Sequence, residues 1–278
     1  MISGRTGIIA HLGYPTESFT APMIYNPWFE AHGIDAVVVP MGVRAPDYAA
    51  FLRPLFRLGN IRGALVTMPH KVATVDLIDQ VSIAVEIAGS CNAIRRRPDG
   101  SLYGDMFDGI GFTRAAKREG FDFAGADCLV VGAGGVGSAI AAAIATEDPG
   151  SIALHDIRGT AAEALAARLR HHYPGLDVVL GGNDPAGYRL VVNATPLGMM
   201  PGDPLPFDPD RLSPGALVGD VVLGAGTTPL LQAAARRGCG TLLGTDMLFE
   251  QIPAYLEFFG FGRATADELR RALAKISY

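Results

Sequence analysis

The sequence is poor in cysteine, in charge and in long apolar runs, and each shortage narrows what the chain can be. Its three cysteines, Cys91, Cys128 and Cys239, are odd in number, far apart and without a C-x-x-C spacing. That excludes a disulfide frame and argues against a zinc or dithiol site, so reduced, mostly buried thiols and no metal are expected. Charged residues make up 18% of the chain and the formal net charge is −5, which leaves no basic face for a phosphate backbone. The run Arg95-Arg96-Arg97 sits beside Pro98-Asp99-Gly100 and reads as a solvated hairpin arm. No apolar window reaches the ~20 residues of a bilayer span. The opening MISGRTGIIAHLGYP lacks the basic start and the central apolar core of a signal peptide. A cytoplasmic monomer or homodimer with no membrane or nucleic-acid partner is therefore expected.

What the chain does have is a regular alternation. A length of 278 residues suits two medium domains better than one ordinary core. Short β-rich runs (TGIIAHL, DAVVVPM, GALVTM) each precede a helix-length segment, which predicts a βα repeat and a mostly parallel sheet. RRRPDGSLYG then marks a tight turn, hence a hairpin at the edge of that first unit. A second βα series starts at residue 127 with DCLVVGAGGVGSAIAAAIA and runs through SIALHD, LDVVL, RLVVNAT and ALVGDVV. Two further helices, in TDMLFEQIPAYLEFFG and TADELRRALAKI, close the chain with no strand between them and are expected to return to the first unit. The fold class is α/β, with residues 1–110 as a substrate domain, 111–243 as a Rossmann-like dinucleotide domain and 244–278 as returning helices.

With 35 glycines, a G-x-G-x-x-G triplet can arise by chance, so its context decides. Gly132, Gly134 and Gly137 follow the strand-like CLVV and open an Ala-rich helix together with Gly135 and Val136. The first glycine permits the turn, the second lets the backbone approach a pyrophosphate, and the third packs helix against strand. The next strand ends in Asp156, whose carboxylate suits a ribose hydroxyl and repels a 2′-phosphate, favouring NAD. Arg158, two residues on, would hold that phosphate and keeps NADP open, and Asp156 is equally a residue type that caps helices.

Three residues in the first unit are placed for chemistry. Lys71 ends VTMPHK at the carboxyl end of a parallel strand, Asn92 lies in GSCNAI, and Asp108 lies in GDMFDG at the join. His70, beside Lys71, is a weaker candidate, and His171-His172 read as an exposed helix end. With GYP…P at 13–22, GAGGVG at 132–137, NATPLGM at 193–199 and GTDMLFEQ at 244–251, these motifs resemble the shikimate dehydrogenase family over nearly the full chain. The resemblance implies an NAD(P)-dependent oxidoreductase acting on shikimate or a relative such as quinate or an aminoshikimate. It places Lys71 and Asp108 in catalytic positions and Thr67, Asn92 and Gln251 against substrate. It sets Thr195, Val221, Gly244 and Met247 around the nicotinamide. A lysine ammonium supplies the proton that hydride transfer to a carbonyl requires, and an aspartate on the same oxygen holds that lysine by charge.

The opening loop departs from the pattern. Where the family reads Ser-x-Ser-Pro, with both hydroxyls on a ring carboxylate, this chain has Phe19 and Ala21, with Ser18 and Thr20 one residue out of register. Leu65 replaces a usual asparagine, Leu223 a frequent tyrosine, and Met106-Phe107 an Asn-Thr pair. A pocket so altered is expected to bind shikimate weakly or to take another ring, unless Phe19 turns inward and Ser18 or Thr20 replaces it. A dinucleotide-binding sensor without useful turnover is the reading from another class.

Overall fold

The computed structural model describes residues 2–223 and 226–274 and divides into two compact units. One comprises the chain through Val85, Gly89–Phe107 and the chain from Ile252 on; the other comprises Glu86–Ala88 and Asp108–Gln251. The segment expected to return from residue 244 is therefore shared between the units, changing over at Gln251 and Ile252.

The first unit runs β1 (Gly7–Gly13), α1 (Ala21–Ala31), β2 (Ala36–Gly42), α2 (Ala45–Leu55), β3 (Ile61–Val66), β4 (Gln80–Val81), α3 (Ile83–Ala88), β5 (Ala93–Arg96) and β6 (Leu102–Asp105). The strand order is β2-β1-β3-β5-β6-β4. β1 pairs in parallel with both β2 and β3, and only β5 runs against its neighbours. A strand between two parallel partners reads as a near-continuous apolar run, and β1, GIIAHLG, apolar but for His11, is buried at all but one position. The hairpin read from RRRPDGSLYG is β5–β6, turning at Gly100 with φ +88°. It does not form the edge, because the two-residue β4 pairs outside β6. A strand that short carries no periodic signal. Pro22 and Pro46 start α1 and α2, where a missing N–H costs nothing.

The second unit follows as α4 (Asp108–Arg118), β7 (Asp127–Val131), α5 (Gly135–Ile144), β8 (Ser151–His155), α6 (Gly159–His172), β9 (Asp177–Leu180), β10 (Leu190–Asn193), β11 (Leu217–Asp220), α7 (Pro229–Arg236), β12 (Gly240–Leu243) and α8 (Gly244–Phe258). Its sheet is fully parallel in the order β12-β11-β10-β7-β8-β9. That is the doubly wound dinucleotide-binding arrangement, with its topological switch point between β7 and β10. The last helix, α9 (Ala266–Ala274), belongs to the first unit. There the second half of α8 packs its aromatics, Phe107 meeting Tyr255 at 4.9 Å and Phe258 at 5.4 Å between ring centroids. Among the described residues no helix is long and apolar enough to cross a membrane. All three cysteines are buried and unpaired with one another.

Candidate active site

In the first unit the candidate residues gather at the carboxyl ends of β1 and β3, where loops of α/β sheets bind ligands. Thr67 follows β3, and its backbone N–H bonds to the Leu12 carbonyl at 2.9 Å. The segment beyond it is pinned from both sides. Cys91 N–H donates to the Lys71 carbonyl at 2.9 Å. His70 stacks on Tyr48 at 3.9 Å between centroids and bonds through Nε2 to the Val43 carbonyl at 2.8 Å. His70 is thus a fastener of the Lys71 loop rather than a pocket group. Asn92 is fully buried, and its Oδ1 accepts the Phe107 N–H at 3.0 Å. Met106 and Phe107 are core residues, so the departure there fills space under α8.

Phe19 turns inward, but neither Ser18 nor Thr20 replaces it, and both stay exposed. The Phe19 ring stacks on His11 with centroids 4.1 Å apart. A Cβ at Gly13 would lie 2.5 Å from Thr67 Cγ2 and 2.7 Å from Phe19 Cζ, so the strand end, the β3 loop and the opening loop close on one another. Ala21 is half-buried at the first position of α1. His11 is the residue that the sequence reading passes over. Its only signal is a histidine set in an otherwise apolar strand two residues before GYP. Burial, and then the charge of Lys71, hold its pKa down to about 4 from the ordinary 6.5. The neutral imidazole is therefore the folded form. Stability is full above pH 6.5 and falls by roughly 3 kcal/mol as pH drops from 6.5 towards 4. His11→Val is expected to flatten that part of the profile, measured as urea midpoints at pH 7 and pH 4.5.

In the second unit the glycine turn is built as its spacing requires. Gly132 has φ +105°, and a Cβ there would lie 2.7 Å from the Ala194 carbonyl group. A Cβ at Gly137 would overlap the Gly132 carbonyl oxygen. At Gly134 the same test meets nothing within 4 Å. Gly134 is the N-cap of α5 and offers no side chain to it, so the first N–H groups of the helix, from Gly135 and Val136 on, have no side-chain cap. Open backbone at a helix N-terminus fits a pyrophosphate. Asp156 Oδ2 accepts the Ala133 N–H at 2.8 Å, and Oδ1 accepts the Arg158 N–H at 2.8 Å. Burial works to raise the pKa of this acid, but those N–H groups and the Arg158 charge outweigh it and hold it below its ordinary value. Asp156 is not the cap of α6, a place taken by Arg158, whose side chain is exposed.

A buried network shapes the loops after β10 and β11. Asn193 Nδ2 donates to Asp220 Oδ1 and to the Leu197 carbonyl, both at 3.0 Å. Asn193 Oδ1 accepts from the Thr195 hydroxyl at 2.6 Å. Thr228 Oγ1 donates to Asp220 Oδ2 at 2.6 Å, and Val222 N–H to Oδ1 at 3.2 Å. Burial pushes the Asp220 pKa up further than these bonds pull it down. Asp220→Ala is expected to cost about 2 kcal/mol, because three donors lose their acceptor, measured by urea unfolding. Gly244 abuts this loop, a Cβ there lying 2.8 Å from the carbonyl oxygens of Val221 and Val222. Close backbone contact of α4 with α8, through Gly111, sets Met247 and Gln251, both buried, on one helix face, and Gln251 Oε1 is buried without a partner. Leu223 is 56% exposed and joins none of these groups. Among the described residues no cluster of His, Cys, Asp or Glu is arranged to hold a metal ion.

A βα domain carrying a pinned lysine loop, followed by a doubly wound domain with a glycine-rich turn, defines a class of two-domain nicotinamide-type proteins. Residues 12–94 match the family model of the shikimate dehydrogenase substrate binding domain. A shikimate dehydrogenase (NADP(+)) of Rubrobacter xylanophilus is 38% identical over 261 residues, 90% of this chain and 89% of that protein. The crystal structure of shikimate 5-dehydrogenase from Listeria monocytogenes, in complex with shikimate and NAD, superposes with TM-score 0.90 at 28% identity, covering 98% of each chain. Quinate dehydrogenase from Corynebacterium glutamicum in complex with NAD gives TM-score 0.86 at 29% identity, covering 98% and 99%. The chain belongs to the shikimate dehydrogenase family.

Proposed function

We propose that the protein is an NAD(P)-dependent dehydrogenase that interconverts a secondary alcohol and a ketone on a polyhydroxylated ring, shikimate and 3-dehydroshikimate or a close relative such as quinate. The observation that carries this reading is the pinned Lys71 loop at the carboxyl end of β3, in a chain of this family. Lys71 gives a proton to the carbonyl oxygen in the reducing direction and takes it back in the other. Asp108 hydrogen-bonds the same oxygen, and Thr67, Asn92 and Gln251 orient the ring, the unpartnered Gln251 Oε1 being an acceptor suited to a ring hydroxyl. A nicotinamide, when bound, supplies or accepts the hydride. Gly132 to Gly137 and the α5 N-terminus hold its pyrophosphate, Asp156 its adenosine ribose, and Thr195, Val221, Gly244 and Met247 its reactive ring. NAD is the preferred form, because the Asp156 carboxylate repels a 2′-phosphate, while the relatives named for NADP(+) and the exposed Arg158 support use of both.

The test is reduced-nicotinamide formation by the purified protein with shikimate and with quinate, NAD and NADP in parallel. Turnover with NAD exceeding that with NADP is the expected result. Dinucleotide binding without turnover of any ring alcohol would replace this reading with a non-catalytic, nucleotide-sensing one.

A further inference from the structure

Among the buried polar atoms of the first unit left without a partner, the His11 Nδ1 belongs to the ring on which the charge of the lysine just assigned acts. His11 is 9% exposed, and its Nδ1 has no hydrogen-bond partner. A neutral imidazole carries one donor and one acceptor, and leaving either unmet in the interior is costly unless a ligand meets it. The surroundings are apolar. Phe19 covers one ring face, and Leu65, 5% exposed, is the register partner of His11 on β3. Thr67 contributes a hydroxyl at the strand end, packed close to Phe19 about Gly13.

The charges that face this corner are few. Lys71 acts on His11 through its charge, and in the proposed reaction its ammonium serves the reacting oxygen. His70 is turned away to the Val43 carbonyl. Arg44 lies over the Tyr14 ring at 5.2 Å and is exposed, where an ion pair is worth under about 1 kcal/mol. A carboxylate seated at the edge of the stacked His11 and Phe19 rings would be stripped of water against a phenyl ring and a leucine, with no further buried cation among the described residues. A hydroxyl, ether or ester there loses far less and satisfies the imidazole.

Resting on the proposed dehydrogenase reading, we propose that His11 is a specificity-determining residue that hydrogen-bonds the substrate through its imidazole, and that the substrate is a ring polyol uncharged where it meets His11 and Phe19. The geometry sets the ligand class by what it fails to offer an anion.

The test compares shikimate with its methyl ester, which keeps the ring and removes the charge, under saturating NAD. The ester is expected to have the higher kcat/KM, by about 10-fold or more. The double variant Phe19→Ser/Ala21→Ser is expected to reverse the order, and His11→Val to raise KM for the ester while kcat changes little. Higher kcat/KM for shikimate in the wild type, with no gain in the double variant, would overturn the proposal. A second readout does not depend on turnover. In 15N-labelled protein the His11 ring nitrogens, assigned by their loss in His11→Val, are expected to shift on titration with the ester and not with shikimate. An equal shift with shikimate, or no shift with either, counts against the proposal. If neither ring turns over, the dehydrogenase reading fails, and this titration still decides the role of His11.

Discussion

Lys71→Ala is expected to lower kcat by about 10³-fold, within the range for a positioned acid–base group. Dinucleotide affinity, measured by quenching of protein or reduced-nicotinamide fluorescence, should change by less than about two-fold, because the glycine turn and Asp156 belong to the other unit. The fold should hold as well, since the loop is fixed by the backbone bond of Cys91 and by the His70–Tyr48 stack, both of which the substitution leaves in place. Lys71→Arg separates proton transfer from charge. A guanidinium keeps the positive charge but does not deprotonate at accessible pH. If Lys71 serves only as a fixed cation, the arginine variant recovers activity; if it moves the proton, activity stays near that of Lys71→Ala. Wild-type turnover in either variant would remove the lysine from the mechanism.

The second large effect is expected at the glycine turn, and it should split by position. An alanine at Gly137 places its methyl carbon on the Gly132 carbonyl oxygen and 3.0 Å from the Ala194 Cβ, with no flexible side chain to give way. The expected cost is roughly 1–3 kcal/mol of stability, although alanine ordinarily favours a helix, and dinucleotide binding should be lost with the turn. At Gly134 the methyl group meets no protein atom within 4 Å. Gly134→Ala should therefore leave the Tm nearly unchanged while weakening NAD by about 10-fold or more, because the open space there is what a pyrophosphate needs. Measuring Tm and dinucleotide affinity on both variants checks the distinction. Equal losses of stability would mean that Gly134 is open only by accident of packing.

The contrast between these glycines also marks how far the sequence could be read. The doubly wound domain was legible because strand, turn and helix each leave a strong local pattern, and β7 to α5 carries all of them in nineteen letters, DCLVVGAGGVGSAIAAAIA. The first domain was legible as a parallel βα repeat, but β4 was not, since two residues have no periodicity to detect. At the site, the departure at Phe19 and Ala21 could be read from the resemblance to the family, whose opening motif this chain matches without a gap from Pro15 to Pro22. What Phe19 does instead could not, because stacking on His11 depends on the path of the loop over the strand end. The Asn193–Asp220–Thr228 network was hidden for a similar reason. Its members are 27 and 8 residues apart and meet only because parallel pairing sets Asn193 opposite Asp220.

The double engagement of Asp156 constrains how cofactor choice in this protein can change. Its carboxylate takes an N–H from Ala133 inside the glycine turn and another from Arg158 at the start of α6. The group that would discriminate between the two dinucleotides is therefore also a rivet in the loop proposed to hold either of them. Removing its acceptor oxygens together with its charge, to admit a 2′-phosphate, would free the turn at the same stroke, so selectivity can change without loss of grip only where an acceptor is kept. A substitution that keeps an acceptor for Ala133, such as Asp156→Asn or Asp156→Ser, is the route by which a chain with this loop can exchange one cofactor for the other without passing through a form that binds neither.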